Sequence, residues 1–267
     1  MTAKRVYVFT VVFMLSCNAF AASDCVSGEE NCWECGTNCT ARFNPDTKTF
    51  NVSGTGKMAD LATDGQARNV PWYSIRQSVE HITFDGAITS INTFDFYQMN
   101  ATNVTIPDSV TDIGLGFYNT SSLKHVTIPN SVTSIGYGAF YNTSLESVVI
   151  PDSVTKIGNA AFAGNTNLVS VVIGNQTQIS ETSFSNANEN LKIYCTGNLT
   201  QCQANAGVYA DKVVQASTKK INGVTYIFDN KGRLCATSGI RQNKRIYTIE
   251  EASLVSGTKN SVMIRYK

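Results

Sequence analysis

Short alternations of apolar and polar residues recur along the middle of the chain at a constant interval. Val104-Thr105-Ile106-Pro107-Asp108-Ser109-Val110 returns as Val126-Thr127-Ile128-Pro129-Asn130-Ser131-Val132, and again as Val148-Val149-Ile150-Pro151-Asp152-Ser153-Val154. Ile91, Ile113, Ile135, Ile157 and Ile179 fall every 22 residues, and Phe96, Phe117, Phe140, Phe162 and Phe184 follow them by four or five. Leu123, Leu145 and Leu168 lead into the next copy, while divergent copies open the array at Ile82-Thr83-Phe84 and close it at Ile193-Tyr194-Cys195. Alternation in Val126-Thr127-Ile128 places Val126 and Ile128 on one face and Thr127 on the other. So short a unit cannot bury its own aliphatic and phenyl side chains, but stacked units bury them as one continuous core. Each unit predicts a strand, a turn, a second extended piece and a short helical corner around the phenylalanine. Proline cannot donate to a sheet ladder and should mark the end of each parallel strand. Asn119, Asn142 and Asn186 each stand two residues beyond a phenylalanine, where an amide can satisfy turn backbone groups.

The motif Leu-x-x-Val-x-Ile-Pro-x-Ser-Val-x-x-Ile-Gly-x-x-Ala-Phe, clearest in Leu123–Phe140 and Leu145–Phe162, resembles the BspA-like leucine-rich repeat family. Phe50–Gly56 and Pro71-Trp72-Tyr73 resemble the segment that precedes such repeats, so the likeness covers roughly residues 35–200. The expected fold is α/β but β-rich: a right-handed leucine-rich-repeat solenoid with a parallel strand face. The resemblance also implies a surface or secreted protein that binds host or matrix proteins.

Both ends of such a rod expose apolar core and need caps. Residues 23–75 are expected to form a β-rich cap, with Thr40–Phe43 and Thr49–Ser53 as a hairpin around Asn44-Pro45-Asp46-Thr47. The repeats proper run from 76 to 202 as about six units of 22–23 residues. Residues 211–267 read as a small α+β appendage. Its expected parts are a hairpin of Val224–Phe228 and Arg233–Thr237, a strand at Arg245–Thr248, a helix over Ile249–Ser256 and a last strand at Ser261–Tyr266. Ahead of everything, residues 1–22 have the form of an export signal: Lys4 and Arg5, ten apolar residues from Val6 to Leu15, then Ala19-Phe20-Ala21. Cys17 leaves lipidation open as a minor alternative. Beyond this signal no stretch is apolar enough to cross a bilayer.

Export makes disulfides the default state of the remaining cysteines. Cys25, Cys32, Cys35 and Cys39 would staple the cap in one of three pairings, Cys195 and Cys202 the far end of the stack, and Cys235 is left over. The four-cysteine spacing also admits zinc, and Cys32-Trp33-Glu34-Cys35 matches the redox Cys-x-x-Cys form. Without a strand-helix-strand setting, oxidation to disulfides is the favoured reading, and no metal or cofactor is expected.

Charge is unevenly spread. Residues 23–210 carry 8 Lys/Arg against 16 Asp/Glu, and residues 211–267 carry 11 against 4. The acidic bulk repels phosphates, which excludes nucleic acid as a partner; the basic end could dock on the repeats or on an anionic envelope surface. Catalysis needs a converging set of acid, base or nucleophile. The repeats offer serine, threonine and asparagine in register, and His81 and His125 are the only histidines, two strand spacings apart. The chain reads as a non-enzyme. Two outward columns form a flat, weakly charged strip: His81, Asn103, His125, Ser147, Ser170 and Lys192, beside Thr83, Thr105, Thr127, Val149, Val172 and Tyr194. A protein or glycan ligand is expected there, with Tyr194, Val172 and His125 as anchors. The alternative is an envelope component attached through its basic end. Eight Asn-x-Ser/Thr sequons, from Asn38 to Asn198, matter only where the cell glycosylates them.

Overall fold

The structure, a computed structural model, describes Cys25 and residues 29–62, 66–221 and 224–238. The export signal at 1–22, the elements expected beyond residue 238 and the Cys235 side chain lie outside what is described. Three strands come first: Cys32–Gly36 (β1), Cys39–Asn44 (β2) and Thr49–Lys57 (β3). After the long strand His81–Ile91 (β4), each coil lays down a pair. Asn103–Thr105 (β5) goes with Asp112–Ile113 (β6), and His125–Thr127 (β7) with Ser134–Ile135 (β8). Ser147–Val149 (β9) goes with Lys156–Ile157 (β10), and Ser170–Ile173 (β11) with Gln178–Ile179 (β12). Lys192–Cys195 (β13) ends the repeats and the helix Leu199–Ala206 (α1) follows. Val213–Ile221 (β14), Val224–Asp229 (β15) and Leu234–Ser238 (β16) come last.

The second strand of each pair joins one sheet, in the order β1-β2-β3-β4-β6-β8-β10-β12 and parallel from β3 onward. In it Ile91, Ile113, Ile135, Ile157 and Ile179 are successive direct partners, all buried. The first strands form the other face, as the pair β5-β7 and the sheet β9-β11-β13-β14-β15-β16. Their prolines stand just past Thr105, Thr127 and Val149, where each strand stops, as the missing N–H requires.

Between the sheets the phenyl rings of Phe96, Phe117, Phe140, Phe162 and Phe184 lie face to face, with centroids 5.0, 5.3, 5.3 and 5.5 Å apart. The corners around them are tight turns and not the expected short helices. Gln98, Asn119, Asn142, Gly164 and Asn186, each two residues past its ring, hold left-handed φ values between 52° and 73°. Corner amides donate to the next coil, as in Phe117 N to Ala139 O (3.1 Å) and Asn119 N to Tyr141 O (2.8 Å). A residue bonded across coils cannot also close a helical turn. Asparagine tolerates the left-handed region better than most residues, which accounts for its recurrence here.

The Pro-x-Ser element also has a use. Ser109, Ser131 and Ser153 donate to the carbonyls of Ile88, Val110 and Val132 one coil back, at 2.7, 2.6 and 2.7 Å. The glycines after Ile113, Ile135 and Ile157 allow coils to touch: a Cβ on Gly158 would stand 2.8 Å from the Gly136 carbonyl carbon.

Both ends are closed. Disulfides Cys25–Cys32 and Cys35–Cys39 tie down the first cap, whose β2–β3 hairpin pairs Phe43 with Phe50. The two cysteines of the Cys-x-x-Cys element therefore go to different partners, which removes the redox pair. Trp72 is buried, donates from Nε1 to Asp95 O (2.7 Å) and packs on Phe50, which meets Phe96 edge-on. At the far end Cys195–Cys202 fixes α1, and Tyr209 meets Phe184 edge-on at 5.4 Å. The Tyr209 hydroxyl donates to Glu181 O (2.8 Å) and accepts from Phe184 N (3.1 Å). Helix α1 was not foreseen, although Asn198, which accepts from Gln201 N at 3.0 Å, is an N-cap with glutamine three residues on.

The basic segment begins as a continuation of the repeat sheet. Strand β14 runs parallel to β13, with Val213 opposite Ile193. Strands β15 and β16 then return antiparallel, forming the expected hairpin, and bring β16 against β9 and β11. Asp229 closes that hairpin by accepting from Lys231 N, Arg233 N and Arg233 Nε at 2.7–2.9 Å. Burial alone would raise its pKa; these hydrogen bonds outweigh it and hold the pKa below its ordinary value.

Candidate partner-binding face

The outward strip keeps the expected register. Asn103 lies opposite His125 and Thr105 opposite Thr127; Ser147, Ser170 and Lys192 line up, as do Val149, Val172 and Tyr194. Its exposure falls from one end to the other. His81, Thr83, Asn103 and Thr105 are exposed; His125, Thr127, Ser147 and Val149 are half-buried; Ser170 and Val172 are buried. Lys192 is exposed and Tyr194 half-buried.

The cause of the decline is the β14–β16 meander. Val172, only 2% exposed, packs with Ala216 and Ile227, and Val149 and Tyr194 lie against this small cluster. Val172 was expected as an anchor for a ligand. It is instead covered by the chain's own end, because three apolar side chains bury more surface together than any of them does facing water. Ser170, expected on the strip, is covered as well, and its hydroxyl is buried without a hydrogen-bond partner among the described residues.

Toward the other end the strip runs onto the cap. Asn51 Nδ2 donates to Thr83 Oγ1 and Asp85 Oδ2, both at 2.9 Å, and so fixes the edge of β4. A shallow groove of about 610 Å3 opens beside it, lined by Arg42, Phe43, Asn44, Thr49, Asn51 and Thr83 among others. Lys48 pairs with Glu80 at 2.5 Å and, by donating to it, holds the Glu80 carboxyl below its ordinary value. His81 and His125 stay on separate strands, with β5 between them. Among the described residues no three His, Cys, Asp or Glu side chains gather as metal ligands.

A second row of groups went unread in the sequence. Tyr97, Tyr118 and Tyr141, each directly after a core phenylalanine, stack at 6.2 and 4.6 Å with nearly parallel rings. Burial raises the Tyr118 phenol above its ordinary pKa, and the neighbouring Tyr141, Tyr137 and Tyr97 hydroxyls add to the effect. The recurring Phe-Tyr pair was the available signal. Among the described residues no helix is long and apolar enough to cross a membrane.

Comparison with known proteins agrees with this architecture. The BspA type leucine rich repeat region matches residues 89–212 in six copies. A leucine-rich repeat protein of Eubacterium ventriosum superposes with a TM-score of 0.54 at 25% identity, over 73% of this chain and 48% of that one. The chain thus spans about half the length of that relative. A leucine rich cell surface protein of Faecalibacterium prausnitzii is 21% identical over 78% of this chain and 61% of its own, with a TM-score of 0.31. The pneumococcal vaccine antigen PcpA is 16% identical over 70% and 47%, with a TM-score of 0.36. No curated protein matches the sequence. The coils from residue 89 to residue 212 belong to the BspA-type leucine-rich repeat family.

Proposed function

We propose that this chain is an exported, surface-associated binding module that engages a protein through the open part of its strand face. The observation that carries the reading is the contrast along that face. Val149, Val172 and Tyr194 are taken up by the chain's own meander, whereas His81, Thr83, Asn103 and Thr105 stay exposed on a regular backbone with no segment over them among the described residues. His125 and Thr127 border this area and the cap groove extends it. A flat, nearly uncharged surface on rigid strands costs little entropy on binding. Export is supported by the form of residues 1–22 and by three disulfides, which persist in oxidising compartments.

The test compares capture from a cell-surface extract by the mature chain and by Thr105→Glu/Thr127→Glu, with thermal unfolding as the check on folding. Loss of the captured protein with an unchanged melt is expected; the same protein retained by the variant removes this face. The anchoring alternative predicts instead that Lys219→Glu/Lys220→Glu, two exposed positions on β14, releases the protein from the envelope fraction.

A further inference from the structure

The flank formed by the repeat corners carries a second groove, separate from the strand face. Three corners in a row read phenylalanine, tyrosine, amide: Phe96-Tyr97-Gln98, Phe117-Tyr118-Asn119 and Phe140-Tyr141-Asn142. The tyrosines form the stacked row described above, which Tyr73 extends at 6.3 Å, and Tyr137 stands 65% exposed. The amides line a groove of about 240 Å3 together with Asn100, Ser121 and Ser122, and none of its lining side chains carries a charge. Arg76 joins the two rows at one end, stacking 3.7 Å over Tyr73 and donating to Gln98 Oε1 at 3.3 Å.

The left-handed turn favours asparagine at this position without demanding an amide. Gly164 fills the same position with φ 73°, and Gln98 holds φ 54° although glutamine, unlike asparagine, has no special tolerance for that region. Gln98, held at this φ on the wall of a surface groove, is a reason to look for a ligand there. Asn142 donates to Asn119 Oδ1 at 3.0 Å and Ser122 Oγ lies 2.5 Å from Asn100 Oδ1. The amide nitrogens of Gln98 and Asn119 and the amide oxygen of Asn142 are left without partners among the described residues.

Neutral donors and acceptors therefore repeat once per coil along the groove, about every 4.8 Å. We infer that this groove binds a neutral polysaccharide lying along the solenoid axis. Sugar hydroxyls match the paired donor and acceptor of an amide. Charged polymers find no counter-charge in the groove walls.

The experiment uses the mature chain from a host without N-glycosylation, because Asn100, Asn119 and Asn142 lie in sequons. Its migration is followed in native gels containing mannan, dextran, laminarin or galactan, with heparin and polygalacturonate as acidic controls. Retardation by at least one neutral polysaccharide is expected, nearly independent of salt, since no exposed ion pair is involved. Gln98→Gly/Asn119→Gly/Asn142→Gly removes the amides while glycine keeps the left-handed turns, and should weaken binding by about tenfold or more, roughly 1.4 kcal/mol, without loss of fold. Thr105→Glu/Thr127→Glu should leave the retardation unchanged, which separates this site from the strand face. Retardation by acidic polymers only, by none of the four neutral ones, or equally in the triple variant overturns the inference.

Discussion

Asp95 offers a direct measurement of how tightly the first coil is sealed. Its carboxyl is fully buried beneath Trp72, and Oδ2 accepts from Asn92 N at 2.7 Å while Oδ1 has no partner among the described residues. Burial pushes its pKa from 3.8 to about 7; the Asn92 hydrogen bond opposes that rise and the Asp60 charge adds to it. The unfolded chain then ionises near pH 4 while the folded chain holds its proton until about pH 7. Folding stability from this group is therefore complete below pH 4 and is lost as pH rises to about 7. Roughly three pH units at about 1.4 kcal/mol each set the loss at about 4 kcal/mol. The equivalent positions of the next coils carry Gly116, Ala139, Ala161 and Ser183, none of them ionisable. Asp95→Asn keeps an oxygen for the Asn92 amide and removes the charge. Urea unfolding of the wild type and this variant, from pH 4 to pH 8.5, should give equal stability at the acid end. At the alkaline end the variant should be more stable by up to about 4 kcal/mol. A difference that stays flat across this range would refute the burial of an ionisable group there.

Three further perturbations probe the rest of the rod. Phe140→Ala opens the middle of the ring stack and should cost about 3–5 kcal/mol in chemical unfolding with an unchanged m-value; a loss under about 1 kcal/mol would mean that the rings do not carry the stack. Val172→Glu should destabilise by more than about 3 kcal/mol, because it buries a charge under the meander, whereas Thr105→Glu should stay within about 0.5 kcal/mol; equal effects would show that the meander does not cover β11. Replacing Cys195 and Cys202 together by serine opens a short loop and should cost roughly 2–3 kcal/mol, read as a lower denaturation midpoint that excess reductant reproduces in the wild type.

Residues whose environment repeats from coil to coil were legible. The isoleucine and phenylalanine rows could be read because a 22-residue period leaves one way to bring equivalent side chains together. The prolines and the first hairpin were legible for local reasons, a missing donor and a turn sequence. The corners were misread as helical because apolar spacing does not reveal where a corner amide finds its acceptor. Those acceptors lie one coil on, at residues such as Ala139 and Tyr141, and the left-handed φ of Asn119 and Asn142 follows from reaching them.

The misreading of Val172 has a different origin. Along one column the sequence runs Thr83, Thr105, Thr127, then Val149, Val172, Tyr194. Threonine, valine and tyrosine all favour strands, so the change from hydroxyl to apolar carries no meaning within a single strand. It acquires one when the six strands lie side by side, because the change falls where β16 crosses β9 and β11. The apolar half of the column is core for a meander that comes later in the chain, and the threonine half is surface. In a solenoid each coil contacts only its neighbours, so a shift in character within an outward column must come from something laid across the coils. The binding face is accordingly sought where the column remains polar, and an apolar run in an outward column of such a rod marks a cover before it marks a ligand.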